Sequence, residues 1–160
     1  MNKVVFLDRD GVINREVGHY IHSIKYFSFN DGLEQALAKW RNEGFSFVII
    51  TNQGGISKDL YSINDVEQIN DLLRNWFNER NFNLLSILYC PHHDTLENCI
   101  CRKPGTLMFE KIISRYQVSV KKSFMIGDSH RDIIAAKKVG LKAFLIKSNS
   151  NLNELTFSNG

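Results

Sequence analysis

The sequence lacks the features that would place it in several large classes of protein. No apolar run reaches the roughly 20 residues that a bilayer-spanning helix requires. Lys and Arg are scattered, and 20 cations against 17 anions leave a net charge of only +3. That is poor ground for a nucleic-acid partner. Cysteine is scarce: Cys90, Cys99 and Cys101 are all there is. An odd number so tightly grouped does not make a disulfide framework. There is no internal repeat, no low-complexity segment and no linker. The N-terminal stretch has one lysine and a short apolar run interrupted by Asp8, so it does not read as a secretory signal. The expectation is a cytoplasmic monomer with reduced thiols and neither a membrane nor a nucleic-acid partner.

What is present reads as one domain. The 160 residues, 43% hydrophobic and 23% charged, suit a single hydrophobic core. Strand-like runs occur at Val4–Leu7, Phe45–Thr51, Leu84–Cys90, Ser123–Gly127 and Ala143–Ile146. Helical spacing separates them. Leu33, Ala36, Leu37 and Trp40 mark one helix, with Asp31 and Glu34 as a capping box and Gly44 at its close. Val66, Ile69, Leu73, Trp76 and Phe77 mark a second, opened by Ser62 and Asp65. Leu107, Ile112, Ile113 and Tyr116 mark a third. Ile133, Ile134, Ala136 and Val139 mark a fourth, closed by Gly140. Strands alternating with helices predict right-handed βαβ units. The fold class is therefore α/β: a three-layer, Rossmann-like domain over residues 1–147 with a parallel central sheet. No insertion is large enough for a mobile cap. The Ser- and Asn-rich stretch 148–160 reads as a tail that frays.

Chemistry-bearing residues fall at strand ends, where open α/β sheets bind ligands. The first run delivers Asp8 and Asp10, two residues apart and facing the same way on an extended chain. Like charges so close repel and raise one pKa. A hard divalent cation such as Mg²⁺ offsets this, taking oxygen ligands shared with a substrate phosphate. Two solvated acids at a loop start are the alternative. The second run ends in Thr51-Asn52-Gln53-Gly54-Gly55, whose hydroxyl and amides suit phosphate oxygens or form only a Gly-rich turn. The fourth ends in Gly127-Asp128-Ser129. Asp128 reads as a metal ligand or a helix cap, and Asp132 as a favourable first-turn charge. Arg102 and Lys103 precede Pro104, which fixes the backbone. They are two directed cations or a solvated basic pair.

Cys90-Pro91-His92 and Cys99-Ile100-Cys101 supply three thiolates and one imidazole. That set matches a closed, tetrahedral, structural zinc site. With every position filled by protein, such a zinc would not activate water. It would fold a polar loop and aim Arg102 and Lys103. Three free cysteines near a histidine by chance are the other reading. His93 is adjacent and points elsewhere.

The ordered set Asp8-Arg9-Asp10-Gly11-Val12-Ile13-Asn14, Thr51-Asn52, Lys103 and Gly127-Asp128 resembles the four motifs of the haloacid dehalogenase phosphohydrolases. The resemblance implies that Asp8 is the nucleophile, forming an aspartyl-phosphate, and that Asp10 is the general acid and base. It implies Mg²⁺ on Asp8, the Asp10 backbone carbonyl and Asp128, with Thr51 and Lys103 on the phosphoryl oxygens. The loop Cys90-Pro91-His92-His93 with Cys101-Arg102-Lys103-Pro104, and His19-Tyr20-Ile21-His22, are similar to the capless, zinc-bearing subgroup acting on heptose bisphosphate and histidinol phosphate. That implies a small phosphorylated metabolite as partner. Arg102 would reach the far end of the substrate, with Asn52, Gln53, Tyr20 and His22 as further contacts. Two departures stand out: Asn14 to Tyr20 is one residue longer than usual, and the stretch between His92 and Cys99 is shorter. A phosphoacceptor signalling domain is the alternative of a different class, and it would need no general acid.

Overall fold

The computed structural model describes residues 1–155. Five strands form one sheet: β1 (Lys3–Leu7), β2 (Phe45–Asn52), β3 (Leu84–Cys90), β4 (Phe124–Gly127) and β5 (Lys142–Leu145). The order is β3-β2-β1-β4-β5, and every pairing is parallel. Four helices connect them: α1 (Leu33–Asn42), α2 (Ile63–Glu79), α3 (Leu107–Arg115) and α4 (His130–Lys138).

Alternation along the strands builds the three layers. Val5, Leu7, Phe47, Ile49 and Ile126 face a core that includes Leu37 of α1 and Leu73 and Phe77 of α2. Val4, Phe6, Val48, Ile50 and Met125 face the opposite core, with Phe109 and Ile112 of α3 and Ala135 and Ala136 of α4. A sheet covered on both faces is the reason its strands read as continuous apolar runs. The strand order reverses at β1, which lies between β2 and β4. Strands of opposite progression diverge there, and the crevice at their carboxyl ends is the natural ligand site.

Three sequence expectations need correction. Asp31 and Glu34 form no capping box. Gly32 is the cap of α1, at φ +73°, with no side-chain bond to the first turn. Asp31 pairs instead with Arg15 at 3.0 Å and Glu34 with Arg80 at 2.9 Å. Ile134 is 46% exposed, so the buried stripe of α4 runs through Asp132, Ala135 and Ala136. Residues 148–155 do not fray. Asn149 exchanges hydrogen bonds with the Glu16 backbone at 2.7 Å each way, and Leu152 is buried against the α1 core. The last five residues of the expected tail, 156–160, lie outside the described residues.

Candidate active site

Asp8 leaves the end of β1 beside β4, its amide donating to the Ile126 carbonyl at 3.1 Å. Its Oδ1 accepts from the Lys103 ammonium at 2.9 Å and from the Arg9 amide at 2.8 Å. Oδ2 accepts no hydrogen bond among the described residues, and the side chain keeps 13% of its surface in the cleft. One oxygen is thus fixed while the other is presented. Asp128, after β4, faces the same point across Gly11. A β-carbon on Gly11 would sit 2.0 Å from Asp128 Oδ2, and Gly11 has φ +84°. Only glycine combines that backbone with that proximity.

Lys103 is buried and held on three sides. Its Nζ donates to Asp8 at 2.9 Å, to Asp132 at 2.6 Å and to the Ile50 carbonyl at 2.7 Å. Burial works against its charge, but Asp8 and Asp132 outweigh that and raise its pKa. The Asn52 side chain grips the Lys103 backbone in both directions, at 3.0 and 3.1 Å. Asp132 is itself fixed: its Oδ2 accepts from the Ser129 amide at 3.1 Å in a capping box at the start of α4.

The three acids Asp8, Asp128 and Asp132 present oxygens within 4.8 Å of one another. Burial, then the charge of Asp132, pushes Asp8 up to about 8. Burial also raises Asp128, while the adjacent Ser148 hydroxyl works the other way. Removing negative charge from water so densely is costly unless a cation joins it. An all-oxygen donor set with surplus negative charge fits Mg²⁺. Both Asp132 oxygens are already engaged, by Lys103 and by the Ser129 amide. Asp8 and Asp128 are therefore the pair open to an ion.

Asp10 turns toward a buried network. Its Oδ1 accepts from Asn14 at 2.9 Å and from Arg9 Nη2 at 3.0 Å, and its Oδ2 accepts from Gln53 at 3.0 Å. Arg9 is wholly buried and also donates to the Ile21 carbonyl at 2.8 Å. Gln53 Nε2 donates to the Thr51 hydroxyl at 2.9 Å, and the Tyr61 hydroxyl donates to Gln53 Oε1 at 2.7 Å. Gln53 is thus a buried strut between Thr51, Asp10 and Tyr61. His22 stacks on the Tyr61 ring at 5.5 Å and so braces that strut. Thr51, Asn52, Arg102 and Tyr20 do line the cleft, which measures about 410 Å³.

Next to the cleft, Cys90, His92, Cys99 and Cys101 converge. Cys90 Sγ is 3.6 Å from Cys99 Sγ and 3.1 Å from Cys101 Sγ. His92 Nδ1 is 3.5 Å from Cys90 Sγ and 3.3 Å from Cys101 Sγ. Zn–S bonds of about 2.3 Å and Zn–N bonds of about 2.1 Å span a tetrahedron with edges of roughly 3.5–3.8 Å. The four ligand atoms fit a slightly contracted version of it. Burial opposes ionisation of Cys99, but the Arg102 amide, 3.4 Å from its sulfur, and the neighbouring thiols bring it down to about 7. The His92 ring turns its Nε2 to Glu97 at 3.5 Å. A carboxylate behind a ligating histidine fixes the ring and its tautomer. The loop also aims Arg102, whose Nη1 donates to the His92 carbonyl at 3.1 Å.

Comparison with known proteins agrees with this geometry. A HAD-hydrolase-like family model matches residues 100–157. A D-glycero-alpha-D-manno-heptose-1,7-bisphosphate 7-phosphatase of Photorhabdus laumondii is 37% identical, covering 96% of this chain and 87% of its own. A D-glycero-beta-D-manno-heptose-1,7-bisphosphate 7-phosphatase of Helicobacter pylori is also 37% identical, covering 91% and 83%. The crystal structure of the D,D-heptose 1,7-bisphosphate phosphatase of B. bronchiseptica, complexed with magnesium and phosphate, superposes with a TM-score of 0.83. It is 30% identical, covering 95% of this chain and 84% of that one. The chain belongs to the heptose bisphosphate phosphatase family of the haloacid dehalogenase superfamily.

Three residues in this heptose bisphosphate phosphatase relative escaped the sequence reading. Asp132 reads as an ordinary first-turn acid, and only the fold shows it buried against Lys103. Arg9 lies inside the first motif, yet nothing in its spacing announces that it is interior. His93 reads as a bystander to the zinc loop, but its ring lines the cleft. Its adjacency to His92 was the one available signal.

Proposed function

We propose that the protein is a Mg²⁺-dependent phosphatase that converts D-glycero-D-manno-heptose 1,7-bisphosphate to the heptose 1-phosphate. It would act in the cytoplasm as a monomer, on the route to activated heptose for cell-surface glycans. The observation that carries the reading is the division of labour on Asp8. Oδ1 is tied to Lys103 and the Arg9 amide, while Oδ2 is left without a hydrogen bond on a side chain that lines the cleft.

In this reading Asp8 Oδ2 attacks phosphorus in line, and the bond from phosphorus to the sugar oxygen breaks. Asp10 gives that oxygen a proton. Water then attacks the phosphorus of the aspartyl-phosphate, Asp10 takes its proton, and inorganic phosphate leaves with Asp8 restored. Lys103 and the Thr51 hydroxyl meet the equatorial oxygens, where charge gathers. Asn52 and Asp132 position Lys103 (backbone and ammonium respectively), and Gln53 positions Thr51 and Asp10. Asp8, Asp128 and the Asp10 carbonyl are the residues that would hold Mg²⁺, which supplies positive charge against the phosphate. Zn²⁺ on Cys90, His92, Cys99 and Cys101 is structural and fixes Arg102 toward the far end of the substrate. Tyr20 lines the same cleft.

The test is phosphate release with Mg²⁺ from the α and β anomers of heptose 1,7-bisphosphate, histidinol phosphate and nucleoside monophosphates. One heptose anomer is expected to lead in kcat/KM by at least about tenfold, a transition-state difference of about 1.4 kcal/mol. A lead by histidinol phosphate would overturn the substrate. A single stoichiometric phosphorylation without turnover would overturn the enzyme and favour a signalling domain.

A further inference from the structure

The two oxygens of Asp10 are tied to one loop by two separate routes. The first runs through Arg9. Its Nε and Nη2 donate to Asp10 Oδ1 at 3.2 and 3.0 Å, and Nη2 also reaches Oδ2 at 3.1 Å. The same Nη2 donates to the Ile21 carbonyl at 2.8 Å. Ile21 is itself anchored, because its side chain is buried in the core shared with α1 and α2. One guanidinium nitrogen therefore bridges Asp10 and the loop backbone.

The second route runs through Gln53 and Tyr61. Gln53 Nε2 donates to Asp10 Oδ2 at 3.0 Å, and Gln53 Oε1 lies 2.7 Å from the Tyr61 hydroxyl. A carboxylate only accepts, so the amide nitrogen turns to Asp10 and the amide oxygen to Tyr61. The hydroxyl must then donate. Burial raises the pKa of Tyr61 and keeps that proton in place. The Tyr61 ring touches the loop residues on either side of Ile21. Tyr20 meets it edge-on with centroids 5.6 Å apart, and His22 stacks on it at 5.5 Å. Gly55 makes room for the ring: a β-carbon there would sit 2.0 Å from Tyr61 Cε1.

Stability does not account for this wiring. Arg9 is wholly buried, while its partner Asp10 keeps 27% of its side chain exposed. The buried Nη1 of Arg9 has no partner among the described residues. An unpaired buried donor is a cost, and an apolar side chain often replaces a buried ion pair without loss. What an apolar side chain could not do is hold the Asp10 carboxyl. A general acid must lie within hydrogen-bond reach of the oxygen it protonates, and a misplacement of about 1 Å costs heavily in rate.

We propose that Arg9 and Tyr61 are positioning residues for the general acid, which together fix the aim of Asp10 relative to the loop Tyr20–His22 at the edge of the cleft. The inference rests on the phosphatase reading, in which Asp10 protonates the departing oxygen and later deprotonates water. Arg9 and Tyr61 act through Asp10 and not on the substrate. A sugar oxygen leaves poorly and needs that proton, whereas a dinitrophenolate leaves without it. A misaimed Asp10 therefore slows attack on the first kind of ester and spares attack on the second. Both kinds share the aspartyl-phosphate, whose hydrolysis needs the same carboxyl as base.

The experiment measures kcat and KM with Mg²⁺ for dinitrophenyl phosphate and for the fastest alkyl phosphate of the panel above, in wild type, R9K, R9M and Y61F. Melting temperature and zinc content are measured on each variant. R9K keeps a charge but loses the planar fork. Y61F removes one hydroxyl and leaves the ring contacts. In R9K and R9M, kcat for the alkyl phosphate is expected to fall by about tenfold or more with KM within about threefold, while kcat/KM for dinitrophenyl phosphate stays within about threefold. R9K is the milder of the two, and Y61F shows the same pattern at about three- to tenfold. Dinitrophenolate release in the Arg9 variants begins with a burst of about one per chain, because the aspartyl-phosphate now accumulates. Should R9M fail to fold, R9K and Y61F still decide the matter. If R9K and Y61F lower both substrates in equal proportion, or leave both unchanged, the positioning role is wrong while the phosphatase reading stands. If wild type releases no phosphate from either ester, both are wrong.

Discussion

Two clusters of ionisable side chains lie side by side in this molecule and differ in almost every respect. Asp8, Asp128 and Asp132 offer hard oxygens at the end of the central strands. Cys90 at the end of β3 and His92, Cys99 and Cys101 on the loop after it offer soft sulfur and nitrogen. In the first, one oxygen of Asp8 is left without a hydrogen bond on a side chain that lines the cleft, and burial, reinforced by the charge of Asp132, pushes that carboxyl up to about 8. In the second, four ligand atoms lie within 4.8 Å of one another, four of their six separations being 3.1–3.6 Å, and together they fill a tetrahedron with no position for substrate. An open hard site suits reversible capture of an ion together with a phosphate. A closed soft site suits permanent retention. The first is built for turnover and the second for shape.

The comparison breaks most sharply at Asp8. Asp8→Asn keeps the hydrogen-bonding shape of the side chain but removes the nucleophile. Turnover of any phosphate ester is expected to fall by more than about 10³-fold, as for loss of a catalytic nucleophile elsewhere. The circular-dichroism spectrum and zinc content stay as in wild type. Residual activity within tenfold would mean that another group attacks phosphorus.

Asp132→Asn is the next largest. It leaves the Lys103 ammonium with one anionic partner in place of two. kcat is expected to drop about 10- to 100-fold, the scale for a mispositioned electrostatic group. Stability falls as well, because a buried ion pair has lost a partner. An unchanged kcat would confine Asp132 to capping α4.

Asp132 also shows where the sequence stops being legible. The central strands β1, β2 and β4 were readable because both faces of the sheet are covered there and their inner residues are apolar. Asp8, Thr51, Lys103 and Asp128 were readable because they stand at fixed places relative to those strands. Asp132 was not, since an acid three residues into a helix is commonplace. Its burial against Lys103 depends on how α4 meets the loop before α3, which lies far away in sequence. Arg9 was hidden for a similar reason: an interior arginine is acceptable only because Asp10 and the Ile21 carbonyl meet it. Residues 148–155 were misjudged on composition. Ser148 and Asn149 look like tail residues, yet they pack beside Asp128, Gly11 and Glu16 and so stiffen the site. What the sequence did not show of His22 and Gln53 is their shared neighbour: Tyr61 stacks on the first and donates to the second.

Cys99→Ser tests the other cluster. Zinc content should fall below one per chain, and the melting temperature by about 5–15 °C for a domain of this size. Activity at low temperature should fall less than in Asp132→Asn, since none of the four Cys and His side chains lines the cleft. A brief EDTA wash sharpens the contrast. It should stop turnover, which added Mg²⁺ restores, while zinc and the melting temperature hold. Loss of both together would mean that the two sites are not independent.

The smallest effect concerns stability and pH, and its sign separates the open cluster from the closed one. In the metal-free protein Asp8 titrates near 8, against an ordinary value of 3.8. Below about pH 4 the folded and unfolded chains both hold that proton, so the group contributes nothing. Between about 4 and 8 the unfolded chain has released it and the folded chain has not, so metal-free stability declines as pH rises. Above about 8 both are ionised and the decline stops. Asp128, also raised, acts in the same direction. A cation favours the ionised carboxylates and reverses the loss. The rise in melting temperature on adding Mg²⁺ should therefore be larger at pH 8 than at pH 6, by a few degrees. Equal rises at the two pH values would mean that Asp8 is already ionised without the metal. The surplus charge inferred for the open cluster would then be compensated by Lys103 alone.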